Sequence, residues 1–321
     1  MKRFKNILYV SEGGVDQAST MARAVTLAEK NQAELTVIEV IPSFPAGKEM
    51  ADGGPDLTEL QAAMTSESRQ NLELLIEPHR QRLNIKREVF MGTAFLEIIR
   101  AVLRQGYDLV IKPAENPDFL QRLFGSDDMH LLRKCPCPVW LMKPREKSNY
   151  TSILAAVYFD PLAPGVAEAD LNHQIIDLSA SLALSDFATL HVAHAWEAFA
   201  ESKLTVWGDN PAAAATYVEK ERLRHEAGLY QLSEWLRNRV GTEAYDYLSP
   251  RFHLRKGEAR KAITALAEEL HADLVIMGTV ARTGIAGLII GNTAEAVLEQ
   301  LRCSVLAIKP PGFVSPVKLA E

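Results

Sequence analysis

Cysteine, long apolar runs and dense basic clusters are all scarce in this chain of 321 residues. Its three cysteines cannot build a disulfide framework. No apolar run approaches the roughly 18 residues of a membrane-spanning helix. The net charge is −6, without a stripe of lysine and arginine, which disfavours binding to nucleic-acid phosphates. The N-terminal segment lacks a signal-peptide pattern, so we expect a cytoplasmic protein that contacts neither membrane nor nucleic acid.

Common catalytic and metal-binding motifs are also missing, including G-x-S-x-G, H-E-x-x-H and the Walker phosphate loop. His191 and His194 are three residues apart on a predicted strand, so their side chains point to opposite faces and cannot share a metal. Cys135 and Cys137 lack C-x-x-C spacing, and burial at a helix-to-strand junction is the favoured interpretation. We therefore predict no metal site and no catalytic residue.

The chain repeats itself at a spacing of roughly 165 residues. Residues 92–111 align without a gap with residues 257–276. This period is too long for a solenoid repeat and fits a duplicated domain. We predict two homologous domains, residues 1–148 and 149–321.

Each half alternates strand and helix patterns. Several strands are continuous apolar runs, as expected of parallel strands covered on both faces. Five strands and four helices in this order predict an α/β fold, with a doubly wound parallel sheet in each half. The predicted strands are 6–10, 35–40, 85–90, 109–112 and 139–143, then 152–158, 189–195, 252–255, 274–277 and 305–309. The predicted helices are 16–31, 57–83, 94–105 and 127–134, then 167–185, 212–239, 258–270 and 293–302.

A glycine-punctuated loop follows the fourth strand of the second half. It runs from Gly278 through Gly284, and Gly291 then precedes a helical pattern. Glycine lets backbone N–H groups approach an anion closely, and a helix start adds unpaired donors. Ligands of doubly wound sheets bind beyond the carboxyl ends of the strands, where Tyr158 and Asp160 also follow strand one. The pattern predicts a phosphate-binding site at this edge.

The spacing Gly278-x2-Ala281-x9-Gly291-Asn292 resembles the universal stress protein signature, G-x2-G-x9-G-[S/T], with two substitutions. The resemblance covers nearly the whole chain and is to a tandem type of that family. It implies two five-stranded domains with the adenine nucleotide α-hydrolase-like fold. It also implies a pseudo-dimer within the chain, formed by edge strands from Pro138 to Lys143 and from Ser304 to Lys309. A further dimer of two chains stays open.

In nucleotide-binding members of this family, the loop and the helix start hold the phosphates of ATP. An acid after strand one contacts the nucleoside, and the end of strand two lines the adenine pocket. Val192 falls at the adenine wall, and Tyr158 falls at the acid position with Asp160 two residues later. The phosphate-side positions fall on Gly278, Ala281, Gly291 and Asn292, and Thr293 offers a hydroxyl one residue late. We also predict that Thr279, Arg282 and Gly284 of the same loop contact the ligand.

Three positions depart from the family pattern. Ala281 adds a methyl group where glycine lets the backbone lie against a phosphate. Asn292 replaces a hydroxyl, and Tyr158 replaces the acid. The resemblance is therefore compatible with two functions for a non-enzymatic stress-response protein. The first is binding of ATP or another adenine nucleotide by the second half. The alternative is a degenerate pocket in an interaction module or an apolar-ligand binder.

The first half has a poorer phosphate site. Lys112 and Glu115, or Pro113 and Asn116, stand at its two earlier glycine positions, depending on the alignment. Ser126 is best explained as a helix N-cap. We therefore predict that this half binds no nucleotide.

An enzyme is the disfavoured alternative. The segment Ser11-Glu12-Gly13-Gly14-Val15-Asp16-Gln17 resembles S-G-G-x-D-S, the pyrophosphatase loop of adenylating enzymes. Glu12 interrupts this pattern with a carboxylate that opposes pyrophosphate. Weak ATP hydrolysis stays open. A second segment, from Trp196 to Pro211, carries tryptophans and aliphatic residues and is a candidate lid over the pocket or cover for an interface.

Overall fold

The structure, a computed structural model, describes residues 4–44, 56–114, 126–143, 145–163, 165–199, 201, 211–279 and 291–319. Its strands are β1 (Asn6–Val10), β2 (Glu34–Ile41), β3 (Ile85–Met91), β4 (Leu109–Pro113), β5 (Val139–Met142), β6 (Ser152–Val157), β7 (Thr189–Trp196), β8 (Arg251–Lys256), β9 (Leu274–Gly278) and β10 (Ser304–Ile308). Its helices are α1 (Ala18–Asn31), α2 (Leu57–Ile76), α3 (Ala94–Gln105), α4 (Asp127–Lys134), α5 (Val166–Asp186), α6 (Pro211–Val240), α7 (Thr242–Leu248), α8 (Ala259–Glu269) and α9 (Asn292–Leu298).

All ten of these strands join one sheet in the order β3-β2-β1-β4-β5-β10-β9-β6-β7-β8. Strands within each half are parallel, and β5 pairs with β10 antiparallel, which places Leu306 opposite Trp140. Each half has the strand order 3-2-1-4-5 of a doubly wound sheet. This confirms the predicted fold class and the predicted pseudo-dimer through the last strand of each half.

Two apolar cores cover the two faces of the sheet, and each core extends across both halves. Side chains alternate between the faces along every strand, so neighbouring residues belong to different cores. One core contains Tyr9, Trp140, Ile153, Ile276 and Leu306. The other contains Leu8, Leu141, Leu154, Val275 and Val305. The two halves are therefore packed as one continuous structure.

Three helix predictions differ from the structure. Helix α2 ends at Ile76 rather than at Leu83, because Pro78 lacks an N–H and lies in a short 3-10 turn instead. Helix α9 ends at Leu298, four residues before the predicted end. Helix α7 was not predicted, and it follows Gly241, whose φ of 85° breaks the chain away from α6.

Candidate functional site

The predicted phosphate loop of the second half begins and ends at one point of the sheet edge. The Thr279 N–H donates to the carbonyl of Ile308 at 3.2 Å, and the Gly291 N–H donates to the carbonyl of Thr279 at 3.1 Å. We call this closure, formed by Thr279 and Gly291, the loop neck. It brings the predicted residues Gly278, Thr279 and Gly291 together, with Asn292 and Thr293 as the first residues of α9.

Several predicted residues lie outside the described part of the chain. Ala281, Arg282 and Gly284 belong to this group, as does most of the candidate lid, residues 202–210. Their contribution to the site stays a prediction.

Gly278 has a packing role. A Cβ placed on it would lie 2.7 Å from the Leu171 side chain, which reaches over from α5. This distance is too short for a side chain at 278 unless Leu171 moves. The close approach of α5 to the end of β9 therefore favours glycine here, independently of any ligand.

The end of β6 is fixed by an amide side chain. The Tyr158 N–H donates to Asn172 Oδ1 at 3.1 Å, and Asn172 Nδ2 donates to the Tyr158 carbonyl at 2.7 Å. Tyr158 itself is 50% exposed at the acid position of the family pattern. The carboxylate of Asp160 accepts a hydrogen bond from the Leu162 N–H at 3.0 Å, which orders the turn that follows.

Next to Tyr158 lies a stack of aromatic and histidine rings that the sequence analysis missed. The Phe159 ring stacks on His194 with centroids 3.9 Å apart. A Cβ on Gly228 of α6 would lie 2.3 Å from the Phe159 ring, so only glycine fits there without a shift. His194 Nε2 lies 2.8 Å from His225 Nδ1. A glycine inside a long helical pattern was the available signal for this close approach.

Burial favours the uncharged form of His194 in this ring stack. His194 is fully buried, which lowers its pKa to about 4; the Val157 carbonyl opposes the shift and His225 adds to it. Val192, the predicted adenine-wall residue, is completely buried two positions before His194 on the same strand face. His194 therefore lies closer than Val192 to the carboxyl edge.

The first half has an ion cluster at the corresponding edge. Lys112 is 1% exposed, and its ammonium lies 2.6 Å from Glu12 Oε2 and 2.8 Å from Asp128 Oδ1. Burial alone would lower the pKa of Lys112, but these two carboxylates outweigh burial and raise it. Ser126 Oγ accepts from the Met129 N–H at 3.2 Å, which confirms the N-cap interpretation.

The loop neck also contacts the first half. The buried ammonium of Lys309 donates to Thr279 Oγ1 and to the carbonyl of Leu132 in α4. Arg133 of α4 forms an ion pair with Glu295 of α9. Burial lowers the pKa of Lys309 to about 7, against the opposing influence of Cys135. Helix α4 of the first half therefore contacts the second half near both ends of the loop.

The described residues contain no group of three or more histidine, cysteine, aspartate and glutamate side chains suited to holding a metal ion. No helix among them combines the length and the apolar character that crossing a membrane requires.

Comparison with known proteins identifies similar chains over the full length. The sequence model described as "Universal stress protein family" matches residues 3–143 and 159–309. Universal stress protein E of Escherichia coli (strain K12) is 29% identical over 328 residues, covering 100% of this chain and 99% of that protein. The Universal stress protein E homolog of Haemophilus influenzae is 27% identical, covering 96% and 98%. A solved structure of a functionally unknown protein from Pseudomonas aeruginosa PAO1 is 26% identical with a TM-score of 0.65, covering 96% and 93%.

Proposed function

Because this chain belongs to the universal stress protein family, we propose that it is a non-enzymatic stress-response protein whose second half binds an adenine nucleotide, with ATP as the first candidate. The main support for the proposal is the closure of the loop at its neck, where Thr279 and Gly291 are hydrogen-bonded. A glycine-flanked loop that leaves and rejoins the carboxyl edge at one point is suited to wrapping its backbone N–H groups around phosphates. The signature spacing from Gly278 to Gly291 agrees with this role.

The proposal assigns one nucleotide to each chain. In the first half, two carboxylates already neutralise Lys112, and Glu12 contributes one of them at the strand-one position. A phosphate there would lie close to these carboxylates and would be repelled. In the second half, the end of β9 carries Gly278 instead, and the 50% exposed Tyr158 follows the neighbouring strand β6.

Calorimetric titration with ATP tests the proposal directly. Gly291 has φ −64° and ψ 133°, which any residue adopts, so Gly291→Arg places a large side chain at the loop neck without backbone strain. We expect about one site per chain in the unchanged protein and loss of binding in Gly291→Arg. Gly13→Arg is the matched control in the first half, where a Cβ meets no atom within 4 Å, and it should bind like the unchanged protein.

Two results would contradict nucleotide binding by the second half. One is the absence of heat at millimolar ATP, and the other is binding that survives Gly291→Arg but is lost in Gly13→Arg. Release of inorganic phosphate from ATP, measured in the same samples, would contradict the non-enzymatic part of the proposal.

A second candidate function is binding of an apolar ligand, and the 50% exposed ring of Tyr158 favours it. An aromatic ring at the acid position offers stacking surface in place of a ribose contact. Tyr158→Asp separates the two functions. If ATP is the ligand, an acid there should tighten ATP binding severalfold, whereas an apolar site should lose affinity for the fluorescent probe anilinonaphthalene sulfonate. A cytoplasmic location and a dimer of two chains stay predictions from the sequence.

A further inference from the structure

Two thiols lie side by side where α4 leads into β5. The sulfur atoms of Cys135 and Cys137 are 3.6 Å apart, close to van der Waals contact. Cys135 is completely buried and Cys137 is 8% exposed, so the pair lies just beneath the surface. The two sulfurs are therefore close enough to bond after a small movement of one side chain.

A buried cation lies beside this thiol pair. In the antiparallel pairing of β5 with β10, Ala307 is opposite Val139, so continuation of the ladder brings Lys309 opposite Cys137. Lys309 is 6% exposed, and its ammonium is held by the Leu132 carbonyl and the Thr279 hydroxyl. Burial lowers the pKa of Lys309 to about 7, so part of it is protonated near neutral pH. That ammonium stabilises a nearby thiolate, because little water screens the attraction in a buried site.

The titration of the two thiols is consistent with this arrangement. Burial alone would raise the pKa of Cys135, but the hydrogen bond from Cys137 and the charge of Lys309 bring it below its usual value. The pKa of Cys137 is raised well above its usual value by that same hydrogen bond, by burial, and by the charges of Cys135 and Asp108. One thiolate accepting from one thiol is the protonation state in which a dithiol pair reacts.

Cys303 provides a natural contrast. It occupies the position in the second half that matches Cys137 in the repeat, and Leu301 stands where Cys135 would be. Cys303 is 5% exposed, and burial raises its pKa to about 12. The second half therefore has a single inert thiol where the first half has a pair.

We propose that Cys135 and Cys137 are a redox pair that a hydroperoxide converts into an intramolecular disulfide, with Lys309 stabilising the attacking thiolate. The site is a modification site of the first half and does not depend on nucleotide binding by the second.

The reaction proceeds in two balanced steps. The thiolate of Cys135 attacks one peroxide oxygen, the O–O bond breaks, and the departing oxygen takes up a proton to leave as water or an alcohol. The resulting sulfenic acid is then attacked by the Cys137 sulfur, so that the S–S bond forms and the S–O bond breaks. The hydroxide released takes the Cys137 proton and leaves as water. The two thiols lose two electrons in total, and the peroxide gains them.

Peptide mapping tests the proposal on the unchanged protein. Trypsin cuts after Lys134 and is blocked at Lys143 by Pro144, so both cysteines fall in one peptide, residues 135–145, and Cys303 falls in another. After exposure to hydrogen peroxide and alkylation, we expect the peptide 135–145 to lack alkyl groups and to be lighter by two hydrogen atoms. Dithiothreitol should restore both alkylation sites. The Cys303 peptide should keep its alkyl group throughout.

Three variants sharpen the test. Cys137→Ser should give the sulfenic or a higher acid at Cys135 in place of the mass loss, whereas Cys303→Ser should behave like the unchanged protein. Lys309→Met should slow disulfide formation severalfold, with circular dichroism confirming that the fold is kept. Peroxide that leaves the peptide 135–145 fully alkylated, or that links two chains through Cys137, would overturn the proposal. An unchanged oxidation rate in folded Lys309→Met would remove Lys309 from it.

Discussion

At the residue scale, Lys112 and two carboxylates form a buried ion cluster at the edge of the first half that corresponds to the proposed phosphate site. Removing the cation of a buried ion pair leaves a desolvated carboxylate without its compensating charge, which costs about 3–5 kcal/mol. Asp128 is 1% exposed, so it would carry most of this penalty. We therefore expect Lys112→Met to lower the free energy of unfolding by about that amount, as measured by urea denaturation followed by circular dichroism.

The matched control is Lys86→Met. Lys86 pairs with Glu34 at 2.6 Å, but the two side chains are 61% and 67% exposed. Pairs of this kind contribute about 1 kcal/mol or less. Equal effects of Lys86→Met and Lys112→Met would show that the Lys112 cluster is not dry in solution.

The buried ring of His194 predicts an acid-sensitive stability. Its pKa is lowered by burial to about 4 in the folded protein, against an ordinary value of about 6.5 when unfolded. The unfolded state therefore binds more protons between these values. The contribution of His194 is complete above about pH 6.5 and is lost as the pH falls towards 4, a change on the order of 3 kcal/mol. Unfolding of the unchanged protein and of His194→Gln, measured from pH 7 to pH 4, should converge as the pH falls. Parallel curves for the two proteins would contradict this account.

At the element scale, the start of α4 tests the interpretation of Ser126 as a cap. Its hydroxyl accepts from the Met129 N–H. Ser126→Ala should lower the free energy of unfolding by about 1 kcal/mol. Thr93 stands at the same position of α3 but makes no side-chain capping bond, so Thr93→Ala should change stability much less. A larger effect of Thr93→Ala than of Ser126→Ala, measured by urea denaturation, would contradict the assignment.

The sequence predicted elements better than it predicted side-chain neighbours. All ten strands lie within two residues of their predicted bounds. The central strands are continuous apolar runs, as buried parallel strands are, whereas the edge strands β3 and β8 contain no fully buried residue. The helix errors at Pro78 and Gly241 came from local breakers inside longer apolar patterns. The pairing of β5 with β10 was implied by the family resemblance rather than by any residue pattern.

The parts of the candidate site that could not be predicted are formed by residues far apart in the sequence. Phe159 meets His194 and His225 across two elements more than thirty residues apart in sequence. The repeat left Lys112 or Pro113 at the first glycine position, and it did not show that Glu12 and Asp128 would both reach the Lys112 ammonium. Such contacts form only in the assembled sheet, so they cannot be predicted from the spacing of residues along the sequence.

At the scale of the whole molecule, the two halves share one sheet and both apolar cores. Arg23 of α1 adds a contact between the two halves. Its guanidinium lies 2.5 Å from Asp186 of α5 and 3.4 Å from the centre of the Tyr150 ring. We expect one unfolding transition for the chain, with coincident curves from tryptophan fluorescence and circular dichroism. Two separate transitions would mean that the halves fold independently.

Arg23→Met tests how much the Arg23–Asp186 ion pair between the halves contributes to stability. It leaves the Asp186 carboxylate, 7% exposed, without its nearest partner, so we expect a loss of about 3–5 kcal/mol. Arg82→Met is the control, since the Arg82–Glu29 pair is 43% and 30% exposed and lies within the first half. A loss below about 1 kcal/mol for Arg23→Met would show that the shared sheet and apolar cores hold the halves together without this ion pair.

The antiparallel seam between β5 and β10 has a consequence for synthesis. Strand β5 ends about 160 residues before its partner strand begins, and elongation at roughly 5–20 residues per second takes on the order of 10 to 30 s to cover that distance. During this interval the nascent first half presents the unpaired backbone of β5 to its surroundings. Until β10 is synthesised, we therefore expect the β5 edge to be prone to pairing with strand edges of other nascent chains.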